Sequence, residues 1–227
     1  MTSFLCETKS GNDTLGQITS YAAAQFGSQY RTHAYSVLIV KDTARIFRWD
    51  RSGTVVTGAF KYNESPFLVE FFRRYSVASP VIRGKDTSAL HPTSSEAIEA
   101  RQALGLDNDA ALVKLLIHGP FRHPLYYILS APQATPYVPP GRATRGGPAY
   151  DVMWKTRVYL KDSWRVDLPD IQAEGLTYTT LMNTQVCNIA QCLVSGDILD
   201  SYYHTSQTHK FAPNPCSCYP RTHFIPH

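Results

Sequence analysis

No run of apolar residues in this sequence is long enough to cross a bilayer. The longest, Ser36 to Val40 and Leu112 to Ile117, have the length of strands. No basic flank or long apolar stretch follows Met1, so no secretory signal is expected. Charge of one sign is also scarce: 22 Lys and Arg stand against 18 Asp and Glu, a balance of +4 scattered along the chain. That is no footprint for nucleic acid. Cysteine occurs five times, an odd count at uneven spacing, which fits reduced thiols inside a cell better than a disulfide framework. There is no Gly-x-Ser-x-Gly elbow and no cysteine with a recognisable His and acid beside it, so nucleophilic catalysis has no visible carrier. What is present is an ordinary globular composition: 43% hydrophobic and 18% charged over 227 residues, enough for one large domain or two small ones.

The first half alternates helix and strand signals. Leu15, Ile18, Ala22 and Phe26 recur at helical spacing, with Asp13 or Thr14 as a start and Gly27 as a stop. His33 to Val40, Ala44 to Asp50 and Thr54 to Tyr62 are rich in β-branched and aromatic residues and are separated by turns, which predicts a three-stranded antiparallel meander. Phe47 and Trp49 supply its apolar face. The helix expected to cover that face follows Pro66 and presents Phe67, Leu68, Phe71, Phe72 and Tyr75. Val81 to His91 reads as a loop. Thr93-Ser94-Ser95-Glu96 is a capping box that opens a helix running to Gly105, and strands are expected at Leu112 to Ile117 and Leu125 to Leu129.

Composition shifts at Ala131 to Pro140, where four prolines fall within ten residues. A boundary placed there gives two domains, 1–135 and 136–227. Beyond it come a Gly-rich turn, a strand at Arg157 to Leu160, a helix over about Gln172 to Met182 that packs through Tyr178 and Leu181, and a strand near Cys192 to Ser195. The stretch Tyr202 to His227 has little periodicity. The fold class expected is α+β.

Gly141-Arg142-Ala143-Thr144-Arg145-Gly146-Gly147 is a basic turn whose glycines allow positive φ and a close backbone approach to phosphate oxygens. Lys161 closes the strand that follows, and a lysine on the pleat of a buried strand costs desolvation energy unless an anion meets it. Glu174, near the start of the next helix, is placed to reach back to it. A glycine turn, a strand lysine and a helix glutamate, in that order, describe how a protein kinase holds the phosphates of ATP. Taken singly, each has an ordinary explanation: a common loop, a lysine that snorkels to water, an acid favoured at a helix start. The order is what raises the hypothesis.

The runs Gly141 to Gly146, Ala149-Tyr150-Asp151-Val152 and Leu160-Lys161-Asp162-Ser163-Trp164-Arg165 resemble the N-lobe of the fungal-type protein kinases. Arg31-Thr32-His33, Ala44-Arg45, Arg48 to Gly53, Ala103 to Leu106, Gln191 to Asp197 and His223 to His227 are similar to other parts of that family, so the resemblance runs over nearly the whole chain. It implies an N-terminal extension domain, a meander with covering helices, followed by a partial kinase-like N-lobe of antiparallel sheet and one helix. It implies that Gly141, Gly146 and Lys161 bind nucleotide, that Glu174 orients the lysine, and that the cofactor is ATP with Mg.

A working kinase also needs an Asp to accept the substrate proton and an Asp for magnesium, from a His-Arg-Asp loop and an Asp-Phe-Gly segment. Neither motif is in this sequence, and Asp167, Asp170, Asp197 and Asp200 stand in other contexts. No catalytic residue is assigned. The expectation is therefore a truncated kinase fragment, without phosphotransferase activity of its own, lacking the C-lobe. Two alternatives stand beside it: a non-catalytic module that binds protein partners, and a small structural zinc site in the tail, where His204, His209, Cys216, Cys218 and His223 crowd together. Cys187 and Cys192 read as small core residues. Trp49, Trp154 and Trp164 read as packing anchors, and Arg45, Arg48, Arg51, Arg73 and Arg74 as a solvated face.

Overall fold

The computed structural model describes residues 5–6, 11–118, 124–132, 139–165, 171–198, 204–211 and 221–226. The chain is α+β, with two predominantly antiparallel sheets and, among the described residues, four α-helices. It divides into two compact units. The first takes Met1–Asp86, Pro132–Gly141 and Ser206–Cys216; the second takes Thr87–Ala131, Arg142–Thr205 and Ser217–His227. Among the described residues no helix is long and apolar enough to cross a membrane.

In the first unit, β2 (Ala34–Val40), β3 (Thr43–Asp50) and β4 (Gly53–Val56) form a meander, whose third strand ends at Val56 instead of running on to Tyr62 as expected. Two short strands complete the sheet: β1 (Leu5–Cys6), parallel to β2, and β5 (Phe60–Lys61), which pairs with the start of β3. Strand alternation sends Phe47 and Trp49 to one face, with Ala34 opposite Trp49, and sends Ala44 and Ile46 to the other, with Val37 opposite Ile46. The helix over Phe47 and Trp49 is α1 (Gly11–Ser28), which buries Ile18, Ala22 and Phe26 against them. The helix after Pro66, α2 (Phe67–Val77), lies instead on Val37 and Ala44 through Leu68, Phe71 and Phe72. So the expected partner of the Phe47 face is corrected: both faces are covered, each by its own helix. α1 also runs past Gly27, since its N–H ladder continues one residue further to Ser28.

His33, at the start of β2, is 5% exposed. Its Nε2 faces the Ile82 carbonyl at 2.9 Å and its Nδ1 faces the Thr32 hydroxyl at 3.0 Å. A carbonyl only accepts, so Nε2 carries the proton and Nδ1 accepts from Thr32. Burial lowers its pKa to about 4.

The second unit is built on a seven-stranded antiparallel sheet, ordered β11-β12-β10-β9-β8-β7-β6. Its strands are β6 (Ala89–Leu90), β7 (Leu112–Ile117), β8 (Leu125–Ser130), β9 (Arg145–Asp151), β10 (Thr156–Trp164), β11 (Cys192–Asp197) and β12 (Arg221–Pro226). The helix α3 (Ser94–Leu104) begins with the expected capping box, Thr93 and Glu96 bonding each other's backbone, and ends at Gly105 with φ 67°. It buries Ala100 and Leu104 against Ile128 and Tyr150.

Two expectations change here. A boundary near residue 135 separates β8 from β9, yet these strands pair, Tyr127 with Asp151 and Ile128 with Tyr150, and lie in one unit. And the C-terminal stretch contributes β12, inserted between β10 and β11 with partners on both sides.

Candidate functional site

The site is organised by β10. Asp151, at the end of β9, accepts hydrogen bonds from the backbone N–H of Met153 (2.8 Å) and Trp154 (2.9 Å), fixing the tight turn that brings β10 back along β9. Trp154 at the tip is 69% exposed, so it is not the packing anchor expected of it. Along β10, Leu160, Asp162 and Trp164 are buried on one face. Tyr159 and Lys161 project from the other. The strand continues past Lys161 to Trp164 because β12 pairs with it there, Lys161 opposite Phe224. Lys161 therefore lies inside a strand rather than at its end.

Glu174 opens α4 (Glu174–Asn183), preceded by Ala173, which offers no side-chain cap. Its carboxylate is favoured at that helix N-terminus and meets Lys161: Nζ donates to both Oε1 and Oε2 at 2.7 Å. The pair is half-buried, with 30% of the lysine side chain and 27% of the glutamate exposed. An ammonium has three donors, so two bonds to Glu174 leave one for an incoming anionic oxygen.

What seats α4 is Gly175, its one buried residue; Tyr178 and Leu181, expected to pack on the sheet, are half-buried. A Cβ at Gly175 would overlap the Ser195 hydroxymethyl group on β11, so only glycine lets the helix lie this close. The threonines that follow bond back along the helix, Thr179 to the Gly175 carbonyl and Thr180 to the Leu176 carbonyl, each at 3.0 Å. Nearby, Cys192 has its thiol pKa raised by burial and by the Glu174 charge, against a hydrogen bond from Ser195.

The two glycines have different settings. Gly146 is not in a turn but in β9, directly opposite Lys161. Gly141 adopts φ 107° as glycine can, but it belongs to the first unit, where its N–H donates to the Arg51 carbonyl at 2.8 Å. That amide is committed to Arg51 rather than offered to a phosphate.

Other residues singled out by sequence have structural duties. Asp197 accepts from Arg165 through both carboxylate oxygens, at 3.0 and 2.7 Å. Arg51, expected on a solvated face, is 2% exposed; it donates to the Pro139 carbonyl and stacks over Phe26 at 4.5 Å. Cys187 is exposed and Cys192 half-buried, so neither fills a core. Asp167, Asp170, Asp200, Cys216 and Cys218 lie outside the described residues, as does the side chain of His223. Among the described residues no three His, Cys, Asp or Glu side chains gather to hold a metal ion.

Sequence reading did not single out Asp50, Tyr159 or Gly175. The only signal for Tyr159 was its place two residues before Lys161, on the same pleat. Comparisons of the chain with models of known protein families, with curated proteins and with solved structures yield no match.

Proposed function

We propose that this chain binds the phosphate end of a nucleoside triphosphate through Lys161, in the manner of a partial protein-kinase N-lobe, and does not transfer the phosphoryl group by itself. The observation that carries the reading is the Lys161–Glu174 pair, two 2.7 Å bonds from one ammonium to both oxygens of one carboxylate. Such a pair holds the lysine side chain in one position, with a donor to spare.

The surrounding order supports it. Strands β8, β9 and β10 form a consecutive antiparallel run, the lysine is on the third, and the helix immediately after it supplies the acid. That is the sequence of parts by which kinases hold α- and β-phosphates. Gly146, which has no side chain, stands opposite Lys161 on the neighbouring strand. Magnesium fits less well. Holding it takes carboxylate oxygens, and both oxygens of Glu174 are taken by Lys161. The chain also has no His-Arg-Asp or Asp-Phe-Gly segment to supply a base and metal ligands, so the reading stops at binding.

The test is a thermal shift with ATP. The wild-type chain is expected to melt higher in saturating ATP and Lys161→Ala to show no shift; a shift that survives the substitution removes Lys161 from the site.

A further inference from the structure

Beside Lys161 lies an aromatic ring that the phosphate reading does not use. Tyr159 and Lys161 are two residues apart on β10 and so share one face of the sheet, about 7 Å apart along the strand. On β9 the residues opposite are Pro148, facing Tyr159, and Gly146, facing Lys161. The tyrosine does not stand up from its strand. A Cβ at Gly146 would lie 2.5 Å from its Oη, 3.1 Å from Cζ and 3.2 Å from Cε1, so the phenol lies diagonally across β9 toward the glycine. Any larger residue at 146 would displace it. The ring nevertheless remains 48% exposed, and Gly146 is exposed too.

A large aromatic laid along a sheet, half open to solvent and next to a half-buried ammonium, is a stacking platform with an anion-binding group at its edge. A bare phosphate or polyphosphate has no use for the ring. A ligand that carries a flat π-system at one end and phosphate at the other uses both.

We infer that Tyr159 is the specificity-determining residue of this site: it stacks the nucleobase of the nucleotide whose phosphates Lys161 holds, and Gly146 is glycine to let the ring lie flat. This rests on the reading of Lys161 as a phosphate-binding lysine. It adds the residue by which the site recognises the nucleoside end of that ligand.

The experiment is titration of the full chain with ATP and, separately, with inorganic tripolyphosphate, in the wild type and in Tyr159→Ala, Tyr159→Phe, Gly146→Ala and Lys161→Ala. Tyr159→Ala is expected to weaken ATP about ten- to a hundredfold, the worth of one base–aromatic stack, and to leave tripolyphosphate within about twofold. Tyr159→Phe keeps the ring and is expected to keep ATP affinity. Gly146→Ala, which alters neither binding residue but displaces the ring, is expected to follow Tyr159→Ala. Equal weakening of both ligands by Tyr159→Ala, or unchanged ATP affinity, overturns the inference. If tripolyphosphate binds and requires Lys161 while ATP binds no better, only the role of Tyr159 falls. If the wild-type chain takes neither ligand, the reading of Lys161 falls with it.

Discussion

Asp50 in the first unit and Glu174 in the second are both carboxylates paired with a basic side chain, and they are put to opposite uses. Asp50 is fully buried. It accepts from the backbone N–H of Ser52 (2.9 Å), Gln207 (2.7 Å) and Thr208 (2.9 Å), from the Thr208 hydroxyl, and from Arg48 at 2.8 Å. Burial alone would raise its pKa, but these hydrogen bonds outweigh it and hold the carboxyl below its usual value. Every lone pair is spent, and nothing is left for a ligand. Among the described residues Glu174 bonds to Lys161 alone, is half-buried, and leaves that lysine a donor. A saturated buried carboxylate fastens the chain; a half-open pair is available to chemistry. Total charge does not separate the two cases, and the count of unused hydrogen-bonding positions does.

The comparison breaks most visibly at Asp50. Asp50→Ala orphans the backbone amides of Gln207 and Thr208, at the start of the 3-10 turn Thr208–Phe211, together with Ser52 and Arg48. The expected loss is about 3–5 kcal/mol, read as a fall in melting temperature and as fast amide exchange at Gln207 and Thr208. Unchanged exchange there would show that the carboxylate does not hold the turn.

Next in size is the pH dependence of the first unit. His33 titrates near 6.5 when unfolded and at about 4 when folded, so between those values the unfolded chain binds the extra proton. Stability is then full above about pH 6.5, falls as pH drops toward 4, and is flat again below. The total loss is about 3 kcal/mol. His33→Gln is expected to flatten that slope in denaturant titrations at pH 4.5 and 7; an equal slope in the variant would assign the effect elsewhere.

The smallest effect on stability is expected at the candidate site. Glu174→Gln removes a half-exposed ion pair worth about 0–1 kcal/mol, so melting without ligand hardly moves while the ATP-induced shift shrinks. A large loss of stability in that variant would make Glu174 a fastening carboxylate like Asp50 and erase the distinction.

Local signals were readable in the sequence, and distant partners were not. The capping box at Thr93, the strands β2 to β4 and the Lys161–Glu174 pair follow from spacing and residue type, because each is decided within a few positions or by one strand-to-helix step. β12 was unreadable: Arg221 to Pro226 has no alternation of its own and is a strand because β10 and β11 flank it. Which helix covers Phe47 depends on the side from which the chain approaches the sheet, and two apolar helices were equally eligible. Gly175 carries no mark of its own, since its neighbour Ser195 is twenty residues away and reached only through the fold. Asp50 and Thr208 are 158 positions apart. The division into units was visible only in part: the proline-rich stretch is bounded on both sides by a change of unit, at 131/132 and 141/142, whereas the change at 86/87 carries no such mark.

Ser206–Cys216 is claimed by the first unit although the strands on either side of it, β11 and β12, sit next to each other in the second. Neither half of this polypeptide can then be cut out as one uninterrupted stretch. A gene fragment encoding 142–227 would carry eleven residues, 206–216, that belong to the other unit, and would lack Thr87–Ala131 of its own. Duplicating or removing either half would therefore take more than one cut in the chain.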